Sequence, residues 1–124
     1  MQYNTAHAAY SQNAVGGIES PTKLIEMLYE GVLRFVFRAR KAMQDNDVEK
    51  KVYFINRTNA IFVELLNSLD YSQGDVAHYL SGLYARQMQL LVLANLNNDI
   101  NALNEKTNVV KQLSEAWREV TNEQ

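Results

Sequence analysis

Cysteine is absent from the 124 residues, which excludes a disulfide scaffold, a thiolate metal site and a cysteine nucleophile. One proline and five glycines are too few turn formers for a many-stranded sandwich or barrel, which needs a turn signal every ~8–12 residues. Neither sign of charge is in large surplus: twelve Lys and Arg against fourteen Asp and Glu give a formal charge of −2. That is a poor basis for a dedicated nucleic-acid binder, whose affinity comes mainly from neutralising phosphates. The longest apolar run, Leu90 to Ala94, falls far short of the ~20 residues that span a bilayer. The opening Met1-Gln2-Tyr3-Asn4-Thr5-Ala6-His7 carries neither the basic nor the apolar region of a signal peptide. These absences predict a cytoplasmic soluble protein with no nucleic-acid and no membrane partner.

What is present, 47% hydrophobic and 21% charged residues, suits one globular domain rich in helix. Residues 1–19 lack a sustained apolar period, and Gly16-Gly17 resists a helix running through them, so a mobile N-terminal arm is expected. Tyr3, Tyr10, Val15 and Ile18 are spaced apolar groups on that arm, which a solvated tail has little reason to carry unless they dock. Ser20-Pro21 then starts a helix, the serine as cap and the proline where no N–H partner is needed. Apolar residues recur at steps of three and four through four segments, predicting helices over about 20–44, 47–69, 75–97 and 99–121. The second has the clearest period, Val48, Val52, Ile55, Asn59, Phe62, Leu66 and Leu69. Short connections reverse the chain between them, which gives an all-α, antiparallel up-and-down four-helix bundle over 20–121.

The apolar faces are wider than a bundle requires. At 100° per residue, Phe54, Ile61 and Leu65 form a second stripe beside the seam of helix two and widen its arc to about 180°. In helix three, Tyr79, Leu83, Leu90 and Leu93 lie on one flank and Ala77, Tyr84 and Met88 on the other, an arc of about 220°. Helix one adds Leu33 and Phe37, pointing away from its main stripe. Such surplus is covered by the arm, by a second copy of the chain or by another partner. A central helix buried over half its circumference is the alternative.

Signs of chemistry are sparse. A di-iron bundle needs Glu-x-x-His on two helices, and the nearest match is the single Asp75-Val76-Ala77-His78, while His7 has no ligand pattern around it. There is no Gly-rich phosphate loop or nucleophile elbow, and no polar group falls on the core stripes in an acid–base pattern. No enzyme, metal or cofactor is therefore expected. Asn59, on the seam of helix two, reads as a hydrogen-bonded core residue that fixes register. Arg34, Arg38, Arg40 and Lys41 with Lys50 and Lys51 are interspersed with Glu30, Asp45, Asp47 and Glu49, which reads as a mixed-sign solvated surface.

The run Tyr10-x9-Ser20-Pro21-x-x-Leu24-Ile25-x-Met27-Leu28-Tyr29-Glu30-Gly31 resembles the opening of the FliS family of flagellar export chaperones. Asp70, Gly74, Leu80, Leu83-Tyr84, Ala94-Asn95, Asp99 and the closing Leu113-x-x-Ala116-Trp117-Arg118-Glu119 continue it, so the resemblance spans Tyr10 to Glu119. It implies a cytoplasmic chaperone that binds the disordered C-terminal segment of flagellin, prevents premature polymerisation and helps deliver it to the type III export apparatus. An export-gate component and a flagellar regulator or co-chaperone are the further partners expected. The surplus stripes then supply a hydrophobic groove for an amphipathic client, with Phe54, Ile61, Leu65, Tyr79, Leu83, Leu90 and Leu93 as its candidate lining. Tyr10, Val15 and Ile18 of the arm are candidates to cover a hydrophobic pocket. A self-associating homodimer without a flagellin client is the rival reading.

Overall fold

The computed structural model of the chain describes residues 21–122. They form α1 (Pro21–Gln44), α2 (Val48–Asn67), α3 (Asp75–Asn97) and α4 (Ile100–Asn122), with one 3-10 turn at Tyr71–Gln73 between α2 and α3. Each helix packs on its chain neighbours and α4 closes back onto α1, an antiparallel four-helix bundle. The expected arm, with Tyr10, Val15 and Ile18, and the Ser20 cap lie outside the described residues.

Local chemistry sets the corners. The Asp47 carboxylate accepts the Lys50 backbone N–H at 3.1 Å and caps α2. Asp99 does the same for α4, accepting from the N–H groups of Asn101 at 2.9 Å and Ala102 at 3.3 Å. α3 starts without a side-chain cap. Gly74 holds the cap position at φ +92°, and Asp75 lies inside the first turn, where its charge still favours the helix dipole. At the other end of α3, Asn98 takes the left-handed conformation, and the Lys51 ammonium donates to the Asn95 carbonyl at 3.2 Å. A lysine is thereby spent on the unpaired carbonyls of a helix terminus.

The core follows helical spacing in α1, where Ile25, Tyr29, Val32, Val36, Ala39 and Met43 are buried at alternating steps of four and three. In α2 the buried line is Lys51, Ile55, Thr58, Phe62 and Leu65. It keeps Ile55 and Phe62 of the expected seam but replaces Asn59 and Leu66, both only half-buried, with Thr58 and Leu65. Asn59 is therefore not the central polar residue of α2; Thr58 is, its hydroxyl donating to the Phe54 carbonyl at 2.8 Å. The rotation follows from α1, because Ile61 fits against Gly31, where an added Cβ would lie 2.9 Å from Ile61 Cδ1. Across the centre, the Tyr29 and Tyr84 hydroxyls share a 2.7 Å hydrogen bond, and the Trp117 ring meets Tyr29 edge-on at 6.4 Å.

Candidate partner-binding site

Helix α3 has 23 residues and, apart from Asp75 and Arg86, no charged side chain. Its core side uses Ala77, Leu80, Tyr84, Gln87, Leu90, Leu91 and Ala94. The rest of its circumference still carries large apolar groups: Tyr79 is 68% exposed, Val92 57%, Leu93 48% and Leu96 76%. A helix apolar on both its inner and outer faces needs a second cover.

Three contacts orient that surface. Arg86 pairs with Glu105 of α4 at 3.7 Å, and Lys106 of α4 donates to the Gln87 carbonyl, so this side of α3 faces α4. The Lys51 bond to Asn95 marks the side that faces α2. At 100° per residue, Tyr79, Leu83, Leu90 and Leu93 then share the α4-side flank. Leu90 is buried and Leu83 half-buried at its base, whereas Tyr79 and Leu93 stand exposed, about 21 Å apart along the axis. Val109 and Ala116 of α4, four and eleven residues past Glu105, are half-buried on the facing flank. Val92 and Leu96 extend the patch onto the outer face.

Of the seven groove residues expected from sequence, the four on α3 share this flank and the three on α2 do not. Leu65 is fully buried and belongs to the core, as does Leu90. Phe54 and Ile61 turn to the opposite side of the bundle: Phe54 stacks on Phe35 of α1 at 6.0 Å between centroids, and Ile61 packs on Gly31. The second stripe of α2 is thus largely consumed by α1. Of the other stray pair, Leu33 packs against the core, while Phe37 is 57% exposed with the Arg40 guanidinium over its ring. Val92 and Leu96 were missed by the heptad steps; the scarcity of charge along α3 is the sequence signal that points to them.

The core also holds polar groups that the apolar stripes concealed. Lys106 and Gln87 are fully buried, and Thr58 and Ser114 with them. The Lys106 ammonium donates to the Gln87 carbonyl and lies 4.7 Å from the centroid of the Phe62 ring. Burial brings the Lys106 amine down to about 7, against a smaller upward pull from Glu105. The Gln87 side-chain Oε1 is buried without a hydrogen-bond partner among the described residues. Lysine steps with its apolar neighbours Leu103 and Val110, so helical spacing alone marks it as inward, but its type argues for solvent.

Among the described residues, no three His, Asp or Glu side chains converge as metal ligands, and no helix is long and apolar enough to cross a membrane. The chemistry this surface offers is apolar contact along a helix, framed by one ion pair.

Comparison with known proteins gives a consistent result. The family described as Flagellar protein FliS matches residues 2–124. A flagellar secretion chaperone FliS of Campylobacter jejuni is 63% identical over 123 residues, covering 98% of this chain and 95% of the relative. The protein of the same description from Salmonella typhimurium is 33% identical, covering 94% of this chain and 87% of the relative. That from Bacillus subtilis is 29% identical, covering 96% and 88%.

Proposed function

The chain belongs to the flagellar protein FliS family of secretion chaperones, and we propose that its client is the disordered C-terminal segment of flagellin. Bound in the cytoplasm, that segment is kept from premature polymerisation and handed to an export-gate component of the type III apparatus, with a flagellar regulator or co-chaperone as a further partner. The observation that supports this reading is the charge-poor outer surface of α3, where Tyr79, Val92, Leu93 and Leu96 are all exposed and Arg86, on the same flank, is paired with Glu105. A segment that polymerises by helical packing needs a substitute apolar surface, and an amphipathic helix laid along α3 toward α4 finds one. Leu83 and Leu90 support that surface from below. Binding and release are all this role asks of the chain, so it needs neither a catalytic group nor a cofactor.

Ordering the client costs several kcal/mol of the gross contact energy, which a long interface offsets while leaving release possible without ATP. In the same reading the arm, through Tyr10, Val15 and Ile18, covers part of the patch in the free protein and yields it to the client, so that the two compete for one surface. The test is titration of the chain with full-length flagellin and with flagellin lacking its C-terminus. Binding of the first alone, with a negative heat-capacity change and a gain of helix by circular dichroism, is expected. Equal binding of both would discard the C-terminal segment as client.

A further inference from the structure

The outer face shared by α1 and α2 carries a feature of a different kind. Two guanidinium groups lie over the Phe35 ring, Arg34 at 5.1 Å and Arg57 at 5.4 Å from its centroid. Phe35 stacks on Phe54 at 6.0 Å, Arg38 lies over Phe54 at 5.8 Å, and the exposed Tyr53 meets Phe54 edge-on at 5.1 Å. All three arginines are exposed, and none has a carboxylate within 4.0 Å among the described residues. The lysines at the upper end of the face differ, since Lys41 pairs with Asp45 at 3.8 Å and Lys50 with Asp47 at 3.9 Å.

We propose that this arginine–phenylalanine face of α1 and α2 is a second docking surface, which takes an acidic helical segment of a partner protein. A guanidinium held over a ring by cation–π attraction keeps its charge and has N–H donors to offer a carboxylate. Each arginine held on a ring loses less side-chain freedom when a carboxylate arrives. Arg34 and Arg38 are one helical turn apart, about 6 Å along α1, which matches acidic side chains at i and i+4 on a facing helix. Arg57 lies across from Arg34 on the antiparallel α2, over the same Phe35 ring, so a third carboxylate at i+3 of the partner is met as well. The ring of helices puts this face opposite the α3–α4 surface. The chain's own charge of −2 makes a local, unpaired positive patch the more selective for an acidic partner. A nucleic acid fits less well, because Asp45 and Asp47 interrupt the positive track that a phosphate backbone would follow.

The full chain is titrated by fluorescence anisotropy with a labelled helical peptide of about 20 residues bearing Glu at i, i+3 and i+4, with the same peptide carrying Lys there, and with a short polyuridine RNA. The Glu peptide is expected to bind at least ~tenfold more tightly than the Lys peptide, and to weaken ~tenfold or more as salt rises from ~0.05 to ~0.5 M. The triple variant Arg34→Gln, Arg38→Gln, Arg57→Gln is expected to abolish that preference with its helical circular dichroism intact. Arg57→Gln alone, expected to weaken binding ~threefold or more, keeps the test decisive should the triple variant not fold. The inference stands apart from the client reading, and Leu93→Asp is expected to leave Glu-peptide binding unchanged. Equal binding of the two peptides, an unaltered preference in the arginine variants, or RNA as the tightest ligand overturns it.

Discussion

Lys106 is the residue whose type and surroundings disagree most. It is fully buried between α3 and α4, with the Gln87 carbonyl and the Phe62 ring as its partners. Its amine titrates at about 7 in the fold, against 10.5 ordinarily, because burial penalises the charged form. Between those values the unfolded chain holds a proton that the folded one lacks, so the contribution of Lys106 to stability rises with pH across the window from about 7 to 10.5 and is flat below it. The slope is on the order of 1 kcal/mol per pH unit. Lys106→Met is expected to remove it and to stabilise the protein most below pH 7, by a few kcal/mol, since a buried charge is replaced by an apolar side chain of similar length. Urea unfolding of both proteins across that window checks this; parallel pH profiles would mean that the buried amine is not shifted.

At the scale of the element, α3 divides residues that share one flank. Leu90 and Leu93 are one turn apart, yet Leu90 is 8% exposed and Leu93 48%. Leu90→Ala is expected to cost about 2–5 kcal/mol of stability, and Leu93→Ala under ~0.5 kcal/mol. For the flagellin segment the expectation is specific to Leu93: Leu93→Asp weakens binding ~tenfold or more with little change in melting temperature. Unaltered client affinity would move the docking surface away from this flank. Gly82 in the same helix has nothing among the described residues within 4 Å of an added Cβ. Gly82→Ala is therefore expected to stabilise by about 0.5–1 kcal/mol, read as a higher midpoint in thermal unfolding. Gly31 is the opposite case, pressed against Ile61, so Gly31→Leu is expected to part α1 from α2 and destabilise the fold.

For the whole molecule, the arrangement of the helices decides what can be occupied together. The exposed apolar surface of α3 and the arginine face of α1 and α2 lie on opposite sides of the bundle, so one chain has room for a client and an acidic partner at once. A homodimer through α3 would consume the client surface instead. Light scattering across a range of concentrations is expected to give the monomer mass for the free chain, and the mass of a one-to-one complex with the flagellin segment. A dimer that dissociates only when flagellin is added would show that self-association and client compete for α3.

From the residues alone came the helical class, the polar turns between helices and the excess of apolar surface, because the 3.6-residue period and the caps at Asp47 and Asp99 are local properties of the chain. The FliS resemblance was equally legible, carried by the Ser20-Pro21-x-x-Leu24-Ile25 run and the closing Ala116-Trp117. Which stripe is core was not. Two adjacent stripes on α2 have the same period, and the choice between them rests on Ile61 meeting Gly31 and Phe54 meeting Phe35, contacts between residues 19 or more positions apart. The buried Lys106 and the stacked arginines were hidden for a related reason: residue type reports average exposure, while the rings and carbonyls that hold these charges come from neighbouring helices that only the packed bundle brings within reach.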